Sequence, residues 1–471
     1  ASTTGGLTNA GTLSNTAGTL TVGGTLTNNA TVTLSGGTVS TTTGFANAGT
    51  LTQTGGTLSG GPLTNTATVN TTGGAINAAV ANSAAFNVGG TVTGNNSFTN
   101  NATGTLAIAA AGNYSGLTTV TNAGAVTLAA GGRLAAASYV QNGSGTLDNT
   151  GGTLATTGDY TQNGGSGVNA GIGGSAGTVQ VGGTLALNGG TFANNTGGIL
   201  TAAALTTAAG TTLSNAGTAS TTGGLTNAGT LSNTAGAFTV GGTLSNSVGG
   251  AVNLSGGTLT ATTGFSNSGT FTQTGGTLTG ATLSNLGTVN ANGGAINSAS
   301  VVNFSAFNVN GSVTGNNAFS NAAGGTLAVA ATGNYSGLTS ITNAATVTVA
   351  SGGTLSAGAF TQSAGTTTNS GALTLSGELA VNGGTLTTTG VVTAATLSNA
   401  GTVNANAGQV NAAITNTGTY NVNGAVSTTN SFANNAGGTL AIAATGNYTG
   451  LTTLTNAGTL TTAAGIGQRG Q

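Results

Sequence analysis

The side chains able to carry charge in this chain are few enough to name: Arg133, Asp148, Asp159, Glu378 and Arg469, accompanied by six tyrosines and no histidine or cysteine. One grouping invites chemistry. Asp148 and Asp159 stand near Tyr139 and Tyr160, and a carboxylate pair beside aromatic rings is what cleavage or binding of a carbohydrate requires. The two carboxylates are eleven residues apart, which is not the length of the repeat described below, so they are expected on different faces as solvated loop groups. The other charges are scattered, whereas general acid–base, thiol and most metal chemistry needs groups held together. The sequence thus predicts a protein that is not an enzyme, with no catalytic, cofactor-binding or metal-binding residues and no cofactor. Calcium is disfavoured because repeat-bound calcium draws on recurring aspartates.

A net charge of −1 leaves no electrostatic footprint for nucleic acid. No run of eighteen apolar residues is available to span a bilayer as a helix. The polar groups that do recur in register are amides: Asn9, Asn28, Asn47 and Asn65, then Asn227, Asn246, Asn267 and Asn285, each two residues after a large apolar residue. Stacked at the strand spacing of about 4.8 Å, they can form a ladder in which each side chain donates to the next. Turn formation is the other use of asparagine. Both uses require the same coil.

The elements that would position these amides follow from the apolar residues. Leu7, Leu26, Phe45 and Leu63 form one series, Leu13, Val32, Leu51 and Val69 a second, and Leu20, Val39, Leu58 and Ile76 a third, each advancing by 18 or 19 residues. Three anchors per period describe a three-sided coil. A helix does not produce this spacing, and the 90 glycines would each cost it about 1 kcal/mol relative to alanine. Triplets such as Thr19-Leu20-Thr21 and Thr31-Val32-Thr33 suit strands, in which the middle residue faces in and both hydroxyls face out. Clusters of Gly, Asn and Ala supply the corners. About 19 residues per coil gives roughly 24–25 coils and, at about 4.8 Å each, a length on the order of 115 Å.

A longer repeat overlies the short one. The stretch from Ser2 to Gly18 returns word for word at Ser220 to Gly236, and the copies stay alignable as far as "GNYSGLT" at Gly112 and Gly333. The long repeats are residues 1–127, 219–348 and a partial copy at 395–460, with less regular segments at 128–218 and 349–394, all expected to belong to one continuous solenoid over 1–471. The tyrosines of the "GNY" words, Tyr114, Tyr335 and Tyr448, are expected to pack over corners. Asn113, Asn334 and Asn447 head Asn-x-Ser/Thr triplets of the kind that accept glycans.

The "GTL", "GGTL" and "NAGTL" words and the unit Gly112-Asn113-Tyr114-Ser115-Gly116-Leu117-Thr118 resemble the β-helix of filamentous-haemagglutinin-like exoproteins and autotransporter passengers. The resemblance implies an all-β, single right-handed parallel β-helix, the handedness agreeing with the chirality of parallel crossovers. It also implies export through an outer-membrane secretion partner and an extracellular or cell-surface location. Residue 1 falls inside the repeat phase, which suggests a processed piece of something longer.

From these features the expected function is that of a structural subunit of an extracellular filament or matrix, self-assembling head to tail by solenoid stacking. The shaft of a secreted adhesin is an alternative. A third possibility is an ice-binding solenoid that orders water on Thr-x-Thr arrays, although such triplets occur on all three faces and are interrupted by Ser, Asn and Ala, as expected of ordinary exposed strand residues.

Overall fold

The computed structural model describes residues 1–463, so Arg469 lies outside the described residues. Among the described residues every regular element is a strand, and the chain is a parallel β-solenoid of about 24 turns, roughly 19 residues apart. It comprises two compact units, Ala1–Gly242 and Thr243–Gln471.

In the first unit, Leu7–Asn9 and Thr12–Asn15 begin two series of strands, and Ser2–Thr3 followed by Thr19–Val22 begins another; we call these the first, second and third faces. Each strand pairs in parallel with the next member of its own series: Leu7 lies against Leu26, Leu13 against Val32, and Leu20 against Val39. The second unit repeats this arrangement, as when Phe265 pairs with Leu283, Phe271 with Val289 and Leu259 with Leu278. Where the chain passes a corner without a break, two series merge into one long strand, as in Asn113–Asn122.

Strand alternation sets the core. In Thr25–Asn28 the two threonines are half-buried on the outside, while Leu26 and Asn28 face inward with no exposed surface. The three anchor rows continue inward through Phe45, Leu51, Leu58, Leu63, Val69 and Ile76, each at most 1% exposed. Leu7 and Leu13 are half-buried, because among the described residues each has a neighbour along its row on one side only, and Leu20 is half-buried beside Ala1, whose carbonyl accepts from the Thr21 N–H.

The tyrosines of the "GNY" words depart from the corner placement expected of them. Tyr114 and Tyr335 are fully buried inside the coil. Tyr114 stacks on Phe86 at 6.0 Å and meets Phe98 edge-on at 5.9 Å. Tyr335 does the same with Phe307 and Phe319, and Tyr448 with Tyr420 and Phe432. Room for the ring comes from Gly94, where a Cβ would lie 3.3 Å from Tyr114 and 3.0 Å from Leu117. A register shift between Tyr114 and Leu117, with Gly116 at φ +81°, then carries the strand around the corner. Each trio has one ring from each face, which fills the interior with offset and edge contacts that aromatic rings favour.

Close stacking of corners is the other requirement. Gly60 has φ +96°, and a Cβ there would collide with the carbonyl oxygen of Thr41 one turn earlier. Gly11 has open space around its Cα. Gly60→Ala is therefore expected to destabilise by about 1–3 kcal/mol through backbone strain, whereas Gly11→Ala stays within about 0.5 kcal/mol. Denaturant unfolding followed by circular dichroism checks the pair.

Candidate functional site

The second inward position of the first face holds a row of amides. Asn9 Nδ2 donates to Asn28 Oδ1, and the relay continues through Asn47, Asn65, Asn82, Asn100 and Asn122 with N···O distances of 2.7–2.9 Å. In the second unit it runs from Asn246 through Asn267, Asn285, Asn303, Asn321 and Asn343 to Gln362 Oε1 at 2.8–3.0 Å. A further stretch links Asn399, Asn416, Asn434 and Asn456. Asn227 accepts from the Thr207 hydroxyl and donates to Gly229 O.

Each amide is used more than once. Besides its bond along the row, Asn28 Nδ2 donates to Thr50 O, Asn47 Nδ2 to Thr68 O and Asn303 Nδ2 to Thr326 O. These carbonyls belong to the second face of the following turn, so the amide ties a corner together as well as two coils. All the donors point toward higher residue numbers. An amide that follows an apolar residue in its row consequently has no donor for its oxygen: Val381 precedes Asn399 and Leu128 precedes Asn149, and both oxygens are buried without a hydrogen-bond partner.

A second ladder occupies the second face of the first unit, from Asn149 through Asn169, Asn194 and Asn215 to Asn233 at 2.7–2.8 Å. This ladder begins in the segment where the repeat phase is irregular. Its signal is the same: Asn194, Asn215 and Asn233 follow Phe192, Leu213 and Leu231 by two residues. Where the first-face anchor is tyrosine, the ladder residue lengthens to glutamine. The hydroxyls of Tyr139 and Tyr160 donate to Gln141 and Gln162 at 3.3 Å.

Tyr139 and Tyr160 are thus core residues, 4.9 Å apart ring to ring and fully buried, and they offer no platform to a ligand. Asp148 points outward from the second face, where Thr150 Oγ1 donates to it at 2.6 Å. Asp159 sits at the corner preceding the first-face strand of Tyr160 and accepts from the Thr184 N–H at 2.7 Å. The two carboxylates are on different sides of the coil. Asp148 borders a shallow groove of about 400 Å³ with a floor of Ala107, Ala109, Ala129 and Ile108. Among the described residues, no three acidic groups gather into a cluster that could hold a metal.

Burial raises the hydroxyl pKa of Tyr114, Tyr139 and Tyr335 above the ordinary phenol value. Desolvation does the same for Tyr160 and Tyr420, reinforced by Tyr139 and Tyr448 respectively, and Tyr448 itself is pushed up to about 12. The folded chain therefore holds these protons at pH values where the unfolded chain, with tyrosine pKa near 10, has released them. Their contribution to stability is complete below about pH 10 and is lost as pH rises through the folded values.

Two outcomes are expected. Asn303→Ala leaves Asn321 Oδ1 without a donor in a dry interior and removes a bond to Thr326 O, and should destabilise by about 1–3 kcal/mol. Asn87→Ala, which removes an exposed amide pair with Asn70, should change stability by less than about 0.5 kcal/mol. Denaturant midpoints should fall between about pH 10 and pH 12, and tyrosinate absorbance should rise together with unfolding rather than ahead of it. No family model and no curated protein matches the chain.

Proposed function

We propose that this chain is a structural subunit of an extracellular or cell-surface filament or matrix, in which copies associate by stacking turn on turn. The observation that carries the reading is the buried amide relay. Each turn offers the next one the same inward donors and acceptors and the same strand edge, so the pairing that adds a turn also suffices to add a copy. A net charge of −1 over 471 residues provides little repulsion between copies. The resemblance to filamentous-haemagglutinin-like exoproteins supports display outside the cell after passage through an outer-membrane partner.

The adhesin-shaft alternative draws on one surface feature. Val248, Leu286 and Phe304 are 84%, 54% and 43% exposed. All three lie one or two residues after first-face strands of the second unit, at the corner leading to the second face. Leu286 and Phe304 occupy positions held by Thr66 and Ser83 in the first long repeat, and exposed apolar residues gathered along one corner suit a contact surface.

Negative-stain electron microscopy of native protein across a dilution series separates the two readings. Fibres with a regular axial repeat that persist on dilution are the expected result. Discrete particles of single-chain mass at every concentration would overturn the filament assignment and favour the shaft.

A further inference from the structure

We infer that the second face of the second unit, from Thr326 to Thr459, is a binding surface for crystalline water. The inference is independent of filament assembly and rests on the order of the outward side chains, which strand register reveals. Thr326, Thr346, Thr366, Thr385, Thr402, Thr419, Thr439 and Thr459 are consecutive partners, each directly against the next. A parallel outer row two residues further along each strand holds Thr348, Thr368 and Thr387, then Asn404 and Asn421. The coil length varies along this stretch, yet the face has no register shift. The shifts recorded in this unit lie at corners, where the second face meets the third between Ala291 and Gly293 and where the third meets the first, as between Tyr335 and Leu338 or Thr393 and Thr396.

Earlier in the unit some outward hydroxyls bond one another, as in Thr260 with Thr279 at 2.9 Å and Thr282 with Ser300 at 2.8 Å. Among the described residues, none of the eight threonine hydroxyls in the row makes a side-chain hydrogen bond, and neither do those of Thr348, Thr368 and Thr387. Hydroxyls that do not turn toward one another, as in this row, stand about 4.8 Å apart and can be bridged by one water each, and rows about 6.8 Å apart along the strand extend the pattern in the second direction. These two repeats are close to those of the water lattice in ice. Threonine is stiff at χ1, so the array is held in place before the ligand arrives, and the γ-methyl groups between the hydroxyls keep unordered water off the surface.

A polysaccharide is less well matched. No aromatic ring faces out from this row, since Tyr420 is fully buried, and a uniform lattice of hydroxyls offers no directed set of partners to a sugar ring. A repeating solid with the same spacing engages every rung at once, so that individually weak contacts add along the row.

The test uses ice-affinity partitioning and inhibition of ice recrystallisation with the full chain, alongside Thr366→Tyr and Thr385→Tyr, which place a bulky ring on the face. Thr374→Tyr is the control, because Thr374 is exposed on the third face. Thermal melts establish that each variant is folded. The native chain is expected to enter growing ice and arrest grain coarsening, with both face variants weakened by about tenfold or more and the control unchanged. Exclusion of the native chain from ice would overturn the assignment, as would an equal loss in Thr374→Tyr. Exclusion from ice combined with retention on an insoluble polysaccharide would also overturn it and transfer the face to a glycan ligand.

Discussion

A thin coil must satisfy the backbone carbonyls at its corners without access to water, and this constraint shapes the interior of the chain. Leaving one such group unpaired costs about as much as several well-buried methylenes contribute. Asparagine two residues after the anchor meets the need. Its carbonyl accepts from the amide of the preceding turn, while its NH2 reaches both the next amide and a corner carbonyl such as Ala30 O or Gly49 O. Where a ladder starts after Leu128 or Val381, one oxygen goes unpaired, so a long uninterrupted row is the economical arrangement.

The same constraint explains where the bulky residues lie. Leucine and valine fill most of the inward positions, and the interior widens only where small residues make room, as Gly94 and Gly315 do beneath the rings of Tyr114 and Tyr335. At those levels three rings from three faces meet within about 6 Å of one another. The phenol groups buried there hold their protons, which couples stability to alkaline pH in a chain that has no histidine or cysteine.

The outside obeys a different logic. With ionisable groups nearly absent, the surface is built from hydroxyls, amides and methyl groups repeated at strand spacing. Such a surface has little with which to steer a charged ligand, but its strands repeat at a constant spacing over many turns. Assembly with identical surfaces, or contact with an ordered solid, uses that repetition directly.

The fold class, the three strands per turn and the row of asparagines from Asn9 to Asn65 are all legible in the linear chain, because a period near 19 brings like residues into register without any knowledge of the corners. The second ladder from Asn149 to Asn233 and the inward placement of Tyr114, Tyr139 and Tyr160 are not. They depend on where extra corner residues and bulges fall, and a one-residue change of phase exchanges inside for outside in a strand. The sequence by itself determined that the molecule would be a coil of stacked strands with almost no ionisable chemistry, since composition and periodicity are properties of the chain. Only the tertiary structure decided which threonines share an unbroken face, which amides donate to one another and which tyrosines are dry, since each of these depends on the register between turns.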